Sequence, residues 1–200
     1  RLVGSEMCIR DREKAFELDQ TDSRIFMELD QLYKKMGRAH AERLTFLEAH
    51  LELVAQRDDL CIERITLYNQ LGNYEKAREL IAARKFHPWE GGEGKVTGQY
   101  ILCRVELAKK AIKEKRYLEA ISLLKETDHY PHNLGEGKLI NAEENEVDYY
   151  KGIAYQKLGN EAESIKYLMK ATQGSSEPQQ AFYYNDQQPD KIFYQGPVSY

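Results

Sequence analysis

Four short turns recur along the chain, at Gly37, Gly72, Lys115 and Gly159, spaced by 35, 43 and 44 residues. Three are followed by related segments: Asn73-Tyr74-Glu75-Lys76-Ala77, Arg116-Tyr117-Leu118-Glu119-Ala120 and Asn160-Glu161-Ala162-Glu163-Ser164. A glycine at such a turn permits a left-handed backbone, the aromatic fills the groove between paired helices, and the small residue lets those helices approach. Apolar residues three and four apart precede each turn: Phe26, Leu29 and Tyr33; Cys61, Ile65 and Tyr68; Leu107, Ala108 and Ala111; Tyr149, Gly152 and Tyr155. Partner helices follow with Leu44 and Phe46, Leu80 and Ile81, Leu123 and Leu124, and Ile165, Leu168 and Ala171. Eight helices in antiparallel pairs are expected. A chain of this kind has no single globular core, because each unit buries its apolar stripe only against its neighbours.

The pattern resembles the tetratricopeptide repeat, a helix-turn-helix unit of about 34 residues with a mid-helix Gly, a Tyr, a turn Gly and a following Ala. Gly152-Ile153-Ala154-Tyr155-Gln156-Lys157-Leu158-Gly159 carries the resemblance best. It implies an all-α, right-handed superhelical solenoid of helix-turn-helix repeats with elongated inter-repeat loops. First helices would line an inner surface, and Tyr33, Tyr68 and Tyr155 would serve packing. Ala15-Phe16-Glu17-Leu18-Asp19 reads as the end of a preceding repeat, and Lys191 to Gly196 as a further repeat cut off mid-helix. Two positions depart from the pattern: Lys115 replaces a turn glycine, and Arg64 stands where an apolar residue is expected.

Both ends differ in character from the array. Residues 1–12 and 197–200 resemble the translation of a sequencing adapter read from opposite strands, which leaves 13–196 as the repeat array: about four repeats plus partial repeats at both ends. The expectation is a piece of a longer bacterial chain from a metagenomic assembly. The formal net charge is −4 and no basic run occurs, so the clustered Lys/Arg footprint of nucleic-acid binding is missing. No apolar stretch approaches the roughly 18 residues of a membrane span. Cys8 falls in the adapter-like end, and Cys61 and Cys103 lie in separate helical patterns, so neither a disulfide framework nor a metal quartet arises. A reducing, cytoplasmic compartment is the expectation.

The longer spacings come from insertions between repeats, at Phe86 to Lys95, His129 to about Asn145, and Gly174 to about Pro189. Gly92-Glu93-Gly94-Lys95 returns as Gly135-Glu136-Gly137-Lys138, each copy behind a proline. With Asn185 to Asp190, these loops resemble the repeat tail of large bacterial proteins that join a β-rich N-terminal domain of unknown function, somewhat similar to sugar-processing sandwich domains, to a long tetratricopeptide region. That resemblance implies a context and no catalytic residue. Bottom-up, the glycines allow tight turns with bare backbone N–H groups, and Glu93 and Glu136 are short-reach acceptors. Trp89 offers a flat apolar face beside acidic groups, suited to a sugar or to an aromatic or cationic side chain of a peptide. The purely structural reading keeps Gly for the turn, Glu for the N-terminus of the next helix, and Trp89 for packing between repeats.

Catalytic constellations are weak. A phosphate loop fails because Trp89 occupies its first glycine position and Val96 follows Lys95. His87, His129 and His132 lack further metal ligands at usable spacing. Glu93 and Glu136 would sit on helices stacked about 8 to 10 Å apart, beyond the roughly 5 Å of a retaining glycosidase pair and grazing the inverting range, so geometry leaves inversion open while repeat surfaces of this kind generally bind and do not catalyse. The reading is therefore a non-enzymatic scaffold with no cofactor and no metal. Its contact residues would be Trp89, Glu90, Glu93, Asn133, Glu136, Tyr184, Asn185 and Asp186. The partner would be a protein or peptide, including the N-terminal domain of its own parent chain, with no nucleic acid and no membrane. The alternative is a part of a carbohydrate-binding or carbohydrate-processing site completed by a missing N-terminal domain.

Overall fold

The computed structural model of the protein describes residues 2–138, 142 and 144–173, with the backbone alone for residues 2–8. Tyr184, Asn185 and Asp186, the third long loop and the cut-off repeat at 191–196 lie outside the described residues. The described elements are α1 (Leu2–Leu18), α2 (Ser23–Lys35), α3 (His40–Glu48), α4 (Leu51–Ala55), α5 (Asp58–Gln70), α6 (Tyr74–Ala83), α7 (Lys95–Lys113), α8 (Tyr117–Lys125), α9 (Asn145–Leu158) and α10 (Glu161–Ala171). Two short 3-10 turns, Glu126–Asp128 and His132–Leu134, follow α8. No strand occurs among the described residues, so the all-α repeat fold expected from the periodicity is what forms. Internal contacts divide the chain into two units, residues 1–77 and 78–200.

The four anchor turns are built alike. Gly37, Gly72, Lys115 and Gly159 take φ of 71°, 77°, 62° and 83°. At each, the anchor N–H bonds to the carbonyl three residues back and the next N–H to the carbonyl five residues back: Gly37 to Lys34 and Arg38 to Tyr33, Gly72 to Asn69 and Asn73 to Tyr68, Lys115 to Ile112 and Arg116 to Ala111, Gly159 to Gln156 and Asn160 to Tyr155. This crossed pair is the Schellman closure, which satisfies carbonyls that a helix end otherwise leaves orphaned. Lys115 adopts it against the steric preference of an L-residue, so the departure in sequence is no departure in structure.

Within the first unit, Phe16, Phe26, Leu29, Tyr33, Leu47, Leu53, Val54, Leu60 and Leu67 form one buried cluster. Phe26 sits at its centre, 4.6 Å from Phe46 and 5.3 Å from Phe16 between ring centroids. The short α4 was not anticipated; it buries Leu53 and Val54 in this cluster, against α2, α3 and α5. Ala77, Ala120 and Ser164, each the fourth residue of its helix, are buried as the repeat pattern requires. In the first repeat the turn is one residue longer, and the fourth residue of α3 is Arg43. Its guanidinium is 2% exposed, forks onto Asp30 of α2 at 2.6 and 3.0 Å, and reaches Glu63 of α5 at 2.7 Å. Asp30 lies seven residues before its anchor, where the fourth repeat has Gly152. A Cβ at Gly152 would stand 2.6 Å from Leu168 Cγ, so that hairpin closes by contact while the first closes by a buried ion pair, whose partners must both be present.

Arg64 is likewise accommodated by charge. Its Nε donates to Glu48 Oε1 at 2.6 Å, and the Tyr68 hydroxyl donates to the same oxygen at 2.7 Å. Lys151, at the same position of the fourth repeat and 1% exposed, donates to Asp128 Oδ1 at 2.5 Å. Tyr33 and Tyr155 are buried as packing residues, and Tyr68 is half-buried. Ile165, read as part of a buried stripe, is 58% exposed, and α10 instead buries Ser164 and Ala171.

Candidate functional site

The two glycine-glutamate loops belong to the second unit and meet each other there. After α6 ends, the chain reaches Phe86, which is 2% exposed although it lies in a loop. Its backbone N–H donates to the Asn133 carbonyl at 2.7 Å. The Asn133 side-chain amide returns the contact, donating to the carbonyls of Ile81 and Arg84 at 2.8 and 2.9 Å. It thereby satisfies carbonyls at the C-terminal end of α6. Leu134 is buried beside it at 1% exposure. Gly135 has a φ of 75°, and a Cβ there would lie 2.7 Å from the Phe86 carbonyl oxygen. Only glycine combines that backbone with so close an approach.

The next residue decides what the repeated motif is for. Both carboxylate oxygens of Glu136 accept from the Gly94 N–H, at 3.1 and 3.2 Å, and Oε2 also accepts from Thr97 Oγ1 at 3.2 Å. Gly94 is the residue that caps the N-terminus of α7, with a φ of 73° and no capping side chain of its own. An anion at that position is favoured by the exposed N–H groups and the helix dipole. So the glutamate of the second loop caps the helix that follows the first loop. The structural reading of Glu136 as a cap was right in kind, but the helix is one repeat back and not the one after it.

Lys138 also turns inward, donating to the Thr127 carbonyl at 2.8 Å and to Glu144 Oε2 at 2.6 Å. The Tyr130 hydroxyl donates to Glu144 Oε1 at 3.1 Å. Burial, with Glu144 beside it, pushes the Tyr130 phenol well above its ordinary range. Tyr130 packs edge-on to Tyr100 at 6.0 Å, and Tyr100 donates to the Glu126 carbonyl at 2.8 Å. Arg104 lies 3.5 Å over the Tyr100 ring and donates to Glu126 Oε2 at 2.8 Å, and Arg78 joins the same carboxylate at 2.5 Å. Burial pushes the neighbouring Cys103 thiol up, against the pull of Arg104, which disfavours the thiolate that cysteine chemistry needs.

The sequence candidates therefore part ways. Asn133 and Glu136 hold the loops together and spend their polar atoms inside the molecule. Trp89 is half-buried, and Glu90 and Glu93 are exposed on the first loop. The Trp89 ring lies against Gly92, where a Cβ would stand 2.2 Å from its Cε2. The glycine is what allows the indole to lie flat on the loop backbone. His87, His129 and His132 are exposed, and no cluster of three or more His, Cys, Asp or Glu suited to a metal occurs among the described residues. Phe86, Leu134 and Thr97 complete the joint and were missed. An apolar residue inside each glycine-rich loop was the available signal for the first two.

No protein-family model matches the chain. Solved structures of MamA are similar to it. The MamA AMB-1 structure is 19% identical, with 85% of this chain and 82% of that chain covered and a TM-score of 0.52. A second MamA crystal structure is 14% identical, covers 84% of this chain and 86% of that chain, and has a TM-score of 0.52. Identities this low carry the fold alone: an all-helical, tetratricopeptide-like repeat array. Among the described residues no helix is long and apolar enough to cross a membrane.

Proposed function

We propose that the chain is a non-catalytic scaffold that binds a protein or peptide, with the first inter-repeat loop as a contact surface. One observation carries this reading. The second loop fixes the first through the Asn133 carbonyl on Phe86 and the Glu136 carboxylate on Gly94, and the side chains that the first then presents outward include an indole flanked by two exposed carboxylates, Glu90 and Glu93. A braced aromatic buries large area at little entropic cost on association. Carboxylates around it favour a partner that carries Lys or Arg, through charge complementarity and cation–π contact. A partner domain on the same parent polypeptide is one form of this proposal. The repeat fold supports it, since stacked helical repeats present extended surfaces.

The test is selection of displayed random peptides on the wild-type chain, with affinities then measured on Trp89→Ala and on Glu90→Gln with Glu93→Gln. Basic peptides should be enriched, and Trp89→Ala should weaken them about tenfold, as loss of an aromatic anchor does, with far-UV circular dichroism unchanged. Peptides that bind wild type and Trp89→Ala equally would overturn the assignment of the surface. Selection of glycans in a parallel array, with no peptide enriched, would overturn the partner class.

A further inference from the structure

A cleft lies in the first unit and is independent of the loops. It opens between the α2–α3 turn and the end of α5, with a volume of about 280 Å³, and is lined by Lys34, Gly37, Arg38, Ala39, His40, Arg43 and Gln70. The lining contains three permanent cations, an imidazole and an amide, and no carboxylate. Two of the cations are neutralised from behind: Arg43 by Asp30 and Glu63, and Lys34 by the other oxygen of Glu63 at 3.0 Å. Burial pushes the Glu63 carboxyl up, but the bonds from Arg43 and Lys34 outweigh it and hold the group below its ordinary range.

Arg38 is arranged differently. Its guanidinium carbon stands 3.6 Å over the centre of the Tyr33 ring, so the group is held at the mouth of the cleft by an aromatic neighbour and not by a buried carboxylate. Among the described residues its ion pair is to Glu42, at a long 3.9 Å, with the Glu42 side chain 69% exposed. A guanidinium whose carboxylate contact is this long can turn its N–H groups onto a planar or tetrahedral oxyanion. The longer turn also places Ala39 at the N-cap of α3, where no side chain caps the helix. Asp22, Asn73 and Asn160 accept from first-turn N–H groups of α2, α6 and α10, whereas the N-cap residues of α4, α5, α8 and α9, like Ala39, make no side-chain cap.

We propose that this cleft is a phosphate site, holding inorganic phosphate or the phosphate monoester of a phosphorylated residue. Arg38 forks onto the oxyanion as the cation not matched by a buried carboxylate, and His40 and Gln70 contact its rim. The volume suits one such group with its attached chain or waters, given about 30 Å³ per water.

The test is calorimetric titration of the whole chain, at ionic strength held constant with chloride, in two arms. One uses inorganic phosphate; the other uses a short phosphoserine peptide against its unphosphorylated form. Saturable binding in either arm is expected. Arg38→Gln should weaken it about tenfold, the loss of a charge-assisted fork. Ala39→Asp supplies the missing cap and puts a carboxylate in the cleft, so it should raise the melting temperature while abolishing binding, which separates loss of the site from loss of fold. Phosphate alone binding identifies the free ion, and tighter binding of the phosphopeptide identifies a phosphorylated partner. Absence of saturation in both arms, or binding unchanged in the two variants, would overturn the proposal.

Discussion

Gly91 and Gly135 make a matched pair for measuring how firmly the two loops are joined. Both are left-handed, with φ of 74° and 75°. A Cβ at Gly91 would meet nothing within 4 Å, whereas one at Gly135 would lie 2.7 Å from the Phe86 carbonyl oxygen and 3.1 Å from its carbon. Alanine at Gly91 therefore incurs only the left-handed penalty, about 1–2 kcal/mol, reduced by the lower entropy of the unfolded chain to a net of about 0.5–1 kcal/mol. Alanine at Gly135 incurs the same and also drives the backbones apart. That loosens the 2.7 Å bond from the Phe86 N–H to the Asn133 carbonyl, adding about 0.5–1.5 kcal/mol for the bond alone. The expected totals are about 1–2.5 kcal/mol for Gly135→Ala against about 0.5–1 kcal/mol for Gly91→Ala. The chain's single tryptophan, Trp89, lies in the first loop, so its emission during urea titration reports this joint locally. Circular dichroism followed in parallel reports the helices as a whole, a necessary control in a repeat protein where two-state behaviour is not assured. Equal shifts of the Trp89 transition in the two variants would refute the claim that the loops are docked through Gly135.

Three further outcomes are expected. Lys115→Gly should raise stability by about 0.5–1 kcal/mol, because it relieves a left-handed lysine while costing some unfolded-state entropy; a thermal melt that moves downward would contradict the turn geometry. Glu136→Ala should destabilise by about 1 kcal/mol, as the loss of a helix cap does, whereas Glu93→Ala should stay within about 0.5 kcal/mol of wild type; equal losses in urea titration would show that the two copies are equivalent after all. For Glu48, burial pushes the carboxyl up, but the bonds from Arg64 and Tyr68 outweigh it and hold it below its ordinary value of 4.5. A depressed carboxylate contributes stability that is present above pH 4.5 and lost as pH falls through the lower folded value. Glu48→Gln should thus be less stable than wild type at pH 7, by at most about 1 kcal/mol for a partly exposed pair, with the gap closing in acid; a gap that widens below pH 4.5 would refute the sign.

The sequence by itself determined the repeat register, the hairpins and their closing turns. These depend on contacts within a few residues: a left-handed anchor, an apolar stripe at helical spacing, and a small residue that admits the partner helix. Even Lys115 was placed correctly, because the crossed hydrogen bonds of the turn are local and outweigh the side chain's preference. Arg43 shows where that legibility ends. One extra residue in the first turn moved an arginine into the position of Ala77, and only the fold brought Asp30 and Glu63 to it.

The repeated loop shows the same boundary at the candidate site. Two copies of Gly-Glu-Gly-Lys read as equivalent in one dimension, yet Glu136 caps Gly94, forty-two residues back in the numbering, while Glu93 faces outward. Hydrogen bonds reach their partners through space, and sequence similarity carries no information about which of two like groups will be enclosed. Tertiary structure alone decided that one glutamate became a helix cap and the other stayed exposed.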